Sequence, residues 1–209
     1  MSNCDCDITI KNKEESSVLI TLLAINACMF VIEISLGIYS ESTALIADSL
    51  DMLADATVYG IGLYAIGRSL LSKIRAAYIS GVFQVLLGAA VSIEVLRRFI
   101  WGSEPESLLM ISVGIVALIA NVICLKLIYK HRKGEVHMRA SWIFSKNDVI
   151  ANLGIIFGGI LVYALESRYP DLIIGLFISI IVIRGGIHIC NDARNEKKLT
   201  LKAQDEHLI

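Results

Sequence analysis

The chain has 209 residues and a formal net charge of only −1, so charge gives no reason to expect nucleic acid as a partner. It is 56% hydrophobic with a mean hydropathy of +0.68, which excludes an ordinary soluble domain of this length and predicts an all-α, polytopic membrane protein. Five cysteines are scattered without a pairing pattern, and Cys28, Cys124 and Cys190 each fall in a separate apolar segment, as small core residues do.

Residues 1–16 read as a polar amino-terminal tail with Lys11, Lys13, Glu14 and Glu15. No small-residue cleavage site follows in the right context, so a retained, cytosolic terminus is expected rather than a cleaved signal peptide. Cys4-Asp5-Cys6-Asp7 in this tail is a compact donor cluster, and Cys4 and Cys6 could capture a thiophilic metal. Their spacing is not the C-x-x-C of a structural zinc site, and the default expectation is a disordered tail.

Six apolar stretches follow, at approximately Ser17–Tyr39, Thr43–Ile66, Ile74–Leu96, Ser107–Ile128, Ser141–Leu165 and Leu172–Cys190. Each is close to the ~20 residues that cross a bilayer. Pro105 and Pro170 fall where new runs begin, as expected in the first turn of a helix. Short connections predict antiparallel neighbours in a single bundle over residues 17–190, followed by a short cytosolic tail at 191–209.

Orientation follows from Lys and Arg in the short loops. One side collects Lys11, Lys13, Arg68, Lys73, Arg75, Lys130, Arg132, Lys133, Arg139, Arg194, Lys197, Lys198 and Lys202, whereas the other has Arg97, Arg98 and Arg168. Both termini are therefore expected in the cytosol. The second span then descends from outside and the fifth rises from inside, so that Asp55 and Asp148 can approach one middle layer.

The second span carries the densest chemistry. Asp48, Asp51 and Asp55 lie three and four residues apart in Ala44–Ala56 and share one helical face. An unpaired carboxylate at the centre of a spanning helix costs ~2.5–3.5 kcal/mol on the mildest insertion scale, and three on one face also repel one another. A divalent cation answers both, since hard cations take carboxylate oxygens and an i, i+4 pair can share one ion. Asp48 alone has a second reading, at a helix end or in a local hydrogen bond.

In the fifth span Asp148 and Asn152 are four residues apart and could complete the set with a carboxylate and an amide oxygen. Lys146 points elsewhere and is expected to snorkel to the interface. Asn26, Gln84 and Asn121 suit either a pathway or hydrogen bonds between helices. Glu33 and Glu94 sit near outer helix ends, where a wet interface is the cheaper account. The glycines, Gly154 and Gly158 among them, permit close helix approach.

The stretch Glu33-x-x-x-Gly37, then Ser42-x-Ala44-Leu45-Ile46-Ala47-Asp48-Ser49-Leu50-Asp51-x-x-x-Asp55, resembles the first two helices of the cation diffusion facilitator transporters. Arg139 to Gly154, containing Asp148, is similar to that family's fifth helix, and Pro170-Asp171-Leu172-Ile173-Ile174-Gly175 to the start of its sixth. The resemblance runs from about Val18 to Asp192. It implies a multi-pass protein of the cell (inner) membrane that exports a divalent metal such as zinc, manganese, iron or cobalt from the cytosol in exchange for protons. It maps the metal site onto Asp51, Asp55 and Asp148, implies no tightly bound cofactor, and makes a homodimer possible.

Three departures stand out: Phe144 occupies the place of an expected helix 5 His, the loop before helix 5 is not His-rich, and no cytosolic metal-binding domain is expected after helix 6. The missing imidazole shifts the donor set towards oxygen and harder ions. It also leaves room for a non-transporting regulatory or scaffold relative. A metal-dependent membrane phosphotransferase also uses paired helical aspartates, but the Asp-Gly start and Ala-Arg pair of that motif are not found upstream of Asp51.

Overall fold

A computed structural model describes the backbone of residues 3–65, 70–130 and 136–206, and the side chains in these ranges other than those of 3–13, 15, 65, 70, 73, 136–141, 143, 144 and 201–206. The described residues form six helices: α1 Asn3–Tyr39, α2 Thr43–Ala65, α3 Leu70–Trp101, α4 Ser107–Tyr129, α5 Val136–Leu165 and α6 Tyr169–Glu206. All but α2 are long and apolar enough to cross a membrane. α2 falls short because every 18-residue stretch of its 23 residues contains all three aspartates.

The outer helices run past the apolar stretches. α1 starts at Asn3, so the backbone of Cys4 and Cys6 is helical rather than a disordered tail, while their side chains lie outside the described residues. α6 continues to Glu206 through most of the expected tail. Once a helix is nucleated in an apolar span, adding a residue costs little, and neither polar segment contains a Gly or Pro to stop it. At ~1.5 Å per residue both helices exceed 50 Å in length, well beyond a ~30 Å hydrocarbon layer. Pro170 lies in the first turn of α6 as expected, but Pro105 does not lie in α4: Glu106 is the N-cap, so Pro105 precedes the helix and fixes the entering chain.

The α1–α2 connection is a tight reversal. Ser40 N donates to Leu36 O at 2.8 Å and Ser42 N to Gly37 O at 3.0 Å, with Glu41 in the left-handed region at φ 50°. α3 ends on Gly102, whose φ of 97° disfavours any side chain.

α2 is the one helix among the described residues that touches all five others. Ala44, Leu45, Ala47, Met52, Ala54 and Tyr59 are buried along it. Around it stand α1 paired with α4, α4 with α5, α5 with α6 and α6 with α3. The polarity is inverted relative to a soluble bundle. Val31, Ile38, Leu86, Ile93, Ile119, Phe157 and Phe177 face outward, while Asn26, Glu33, Gln84, Asn121, Asp148 and Asn152 are buried.

The α3–α6 contact brings backbone to backbone. A Cβ added at Gly81 would stand 2.7 Å from Gly186 O, and one at Gly88 would stand 3.1 Å from Ser179 O. Van der Waals packing of this kind is what associates helices in lipid, where apolar burial offers no drive. Gly81→Ala is therefore expected to lower stability by ~1–3 kcal/mol through overpacking. Gly154→Ala, whose Cβ would meet nothing nearer than Ile174 Cγ2 at 4.0 Å, should be neutral or slightly stabilising. Apparent melting temperatures of the two variants in detergent check the contrast.

Candidate functional site

The first N–H groups of a helix have no acceptor within it. In α2 that need is met from α6: Asp171 accepts from Thr43 N at 2.6 Å, from Ala44 N at 3.0 Å and from Ser42 Oγ at 2.6 Å. Ser42 Oγ in turn accepts from Leu45 N at 3.1 Å, an N-cap within α2 itself. Asp171 is fully buried, and its negative charge lies at the positive end of the helix dipole. Sequence reading placed Asp171 in a motif at the start of α6 without assigning it this task. Ser42 directly ahead of Thr43 is the sequence signal that could have pointed to a capped helix start.

Two turns into α2, Asp48 is 1% exposed and faces Glu33 of α1, which is 0% exposed. No described N–H or O–H group donates to any of the four carboxyl oxygens. Glu33 is thus not at a wet helix end, as its position in sequence suggested. Gly37, one turn on, has its Cα side against Ile46 N, where an added Cβ would lie only 3.0 Å away. That close approach seals Glu33 into the α1–α2 seam. Nor does Asp48 sit at a helix end or in a local hydrogen bond.

Asp51 and Asp55 are also buried on α2, as are Asp148 and Asn152 on α5. α2 packs directly on α5, and Asp55 and Asp148 are buried there within electrostatic reach of each other. Tyr59, one turn below Asp55 and fully buried, donates its hydroxyl to Asp55 Oδ2 at 3.0 Å and lies 3.4 Å from Ser145 Oγ. Asn152 uses Nδ2 on the backbone oxygen of Asp148 at 2.9 Å, leaving its buried Oδ1 without a donor. Tyr59 and Ser145 were missed in the sequence, although each stands at helical spacing from a carboxylate, Tyr59 at i+4 from Asp55 and Ser145 at i−3 from Asp148.

Carboxyl groups gathered in a dry layer repel one another unless a positive charge offsets them. Among the described residues no three His, Cys, Asp or Glu side chains stand together as a ready metal cage. Asp51 lies one turn from Asp55 on α2 and interacts electrostatically with both Asp55 and Asp148. The side chain of Phe144, like those of Cys4 and Cys6, lies outside the described residues.

The other intramembrane polar groups have separate roles. Asn26 Nδ2 donates to Leu22 O at 2.9 Å and approaches Cys124 Sγ at 3.9 Å across the α1–α4 seam. Glu94 is paired with Arg97 at 2.7 Å and with Arg98 at 2.6 Å, and Arg98 also donates to the Glu41 carbonyl. Lys146 is exposed, as a snorkelling lysine is.

Residues 19–196 match the family model of the cation efflux transmembrane domain. Among curated proteins, a vacuolar zinc transporter of Saccharomyces cerevisiae is 32% identical over 136 residues, covering 57% of this chain and 30% of the yeast protein. A cadmium, cobalt and zinc/H(+)-K(+) antiporter of Bacillus velezensis is 24% identical over 189 residues, covering 84% of this chain and 60% of its own length. The zinc transporter ZitB of Pectobacterium atrosepticum is 24% identical over 191 residues, covering 85% of this chain and 60% of its own. The chain thus spans 30–60% of the length of these relatives.

Removing the cap from α6 has a measurable expectation. Asp171→Ala leaves two N–H groups and a hydroxyl without their acceptor and should lower stability by about 2 kcal/mol or more. Asp171→Asn, which keeps one acceptor oxygen, should fall between this variant and the unaltered chain in apparent melting temperature.

Proposed function

Since the chain belongs to the cation efflux, or cation diffusion facilitator, family, we propose that it is a secondary transporter that exports a divalent metal cation from the cytosol in exchange for protons. The burial of Asp51 and Asp55 on α2 and of Asp148 and Asn152 on α5, two helices that pack on each other, is the observation that carries this reading. The metal ion is the cargo. Asp51, Asp55 and Asp148 supply hard carboxylate oxygens for it, and the orphaned Oδ1 of Asn152 supplies a neutral one. Asp48 contributes a more remote carboxylate, and Cys4 and Cys6 a capture point ahead of the bundle.

Carboxylates suit an exchanger because protonation removes the charge that retains the metal, which couples the two ions at one place. Tyr59 orients Asp55 through its hydroxyl and leaves the other carboxylate oxygen for the ion. Ion identity follows from the donor chemistry: oxygen ligands with Phe144 in place of an imidazole accept zinc, manganese, iron(II) or cobalt with less bias to zinc than a His-containing site. In this reading α2 crosses the membrane with the other five helices, because the cation or protons offset its aspartates. The spans then number six over residues 17–190, both termini lie in the cytosol, and the bundle sits in the cell membrane, where two copies can associate.

The test is uptake into liposomes that carry a metal-sensitive dye, comparing zinc, manganese, iron(II), cobalt and cadmium under a proton gradient. At least one ion should move only when the gradient is present, and Asp55→Asn or Asp148→Asn should lower its initial rate at least tenfold, equivalent to ~1.4 kcal/mol or more in the rate-limiting barrier. Movement of no ion by folded protein, or full transport by both variants, would overturn the reading.

A further inference from the structure

The described residues hold a cavity lined by no residue of α2 or α5. It measures about 630 Å³ and lies between the start of α3 and the distal part of α6, lined by Leu71, Ser72, Ile74, Arg75, Tyr78, Ala193, Arg194 and Lys197. Its lining contains three cationic side chains and no carboxylate. The nearest acids on α6 lie outside that lining, and Asp192 is engaged with His188 at 3.4 Å. No ion pair among the described residues involves Arg75, Arg194 or Lys197. Arg194 is held over the Tyr78 ring at 5.3 Å from its centroid and donates to Tyr78 Oη at 3.0 Å, which sets the guanidinium plane and leaves further N–H groups on the fork.

The level in the membrane is fixed by the helices. Arg194 lies ~38 Å along α6 from Tyr169, and Arg75 a similar ~39 Å along α3 from Trp101, at ~1.5 Å per residue. Both exceed the ~30 Å hydrocarbon thickness, so the cations stand at headgroup depth on one face. Leu71 and Ile79 are exposed beside them, giving an apolar approach for acyl chains. Grooves of this composition between membrane helices recognise anionic headgroups.

We infer that this cavity is a binding site for the phosphate headgroup of an anionic phospholipid, with Arg75, Arg194 and Lys197 as its phosphate-binding side chains. A lipid there bridges α3 and α6 at the face opposite their Trp101 and Tyr169 ends. The inference concerns a different part of the molecule from the aspartates and does not depend on the transport reading.

Native mass spectrometry of the full chain, with phosphatidylglycerol and phosphatidylcholine offered at equal concentration, tests it. Phosphatidylglycerol should be retained about tenfold more tightly, and the preference should fall to about parity in the triple variant Arg75→Gln, Arg194→Gln, Lys197→Gln. The single variant Lys197→Gln, at an exposed position, should lower it partially and guards against misfolding of the triple. Inorganic phosphate at millimolar concentration should not displace the lipid. Equal retention of the two lipids, an unchanged preference in the folded single and triple variants, or full displacement by inorganic phosphate would overturn the proposal, the last marking a site for a soluble anion.

Discussion

Placing carboxylates on a helix at the centre of a bundle is the constraint from which the rest of this structure follows. α2 is the least able of the six helices to face lipid, and it is the one surrounded by all the others. Enclosure solves the exposure of Asp48, Asp51 and Asp55 to hydrocarbon but removes water as their partner. The bundle then provides few donors: Tyr59 for Asp55, and none among the described residues for Asp48. A site assembled from acids facing acids is poor as a structural device and well suited to holding a mobile positive charge.

The contrast with Asp171 makes the point within one molecule. Asp171 is as buried as the α2 aspartates, yet it accepts from two backbone N–H groups and a hydroxyl, and it works as a fastening between α6 and α2. Asp48 receives nothing comparable. Equal burial with opposite satisfaction separates a carboxylate that holds the fold from one left open for something else.

Hydrophobic runs made the helices legible, because an apolar stretch near bilayer length has few alternatives. The ends were less legible, since nothing in residues 3–16 or 191–206 halts a helix once begun, and polarity was read as a tail. The motif on α2 and its partner on α5 could be read from spacing, and the structure packs the two helices directly together with those residues buried. What spacing within one helix cannot give is the rotation of one helix about another. That is why Glu33 was assigned to water when Gly37 draws it into the α1–α2 seam, and why Asp171 gave no sign of reaching across to Thr43.

The glycine contacts between α3 and α6 have a mechanical consequence. Gly81 meets Gly186 and, two turns along, Gly88 meets Ser179 and Ile183, so the two backbones touch at two heights about 10 Å apart. Two points of contact between rods fix their crossing angle as well as their separation. A slide of one turn would carry each glycine past its hollow and drive side chains into main chain. α3 and α6 therefore form a stiff strut, and any rearrangement that opens one side of the bundle and closes the other has to bend or tilt at the seams around α2.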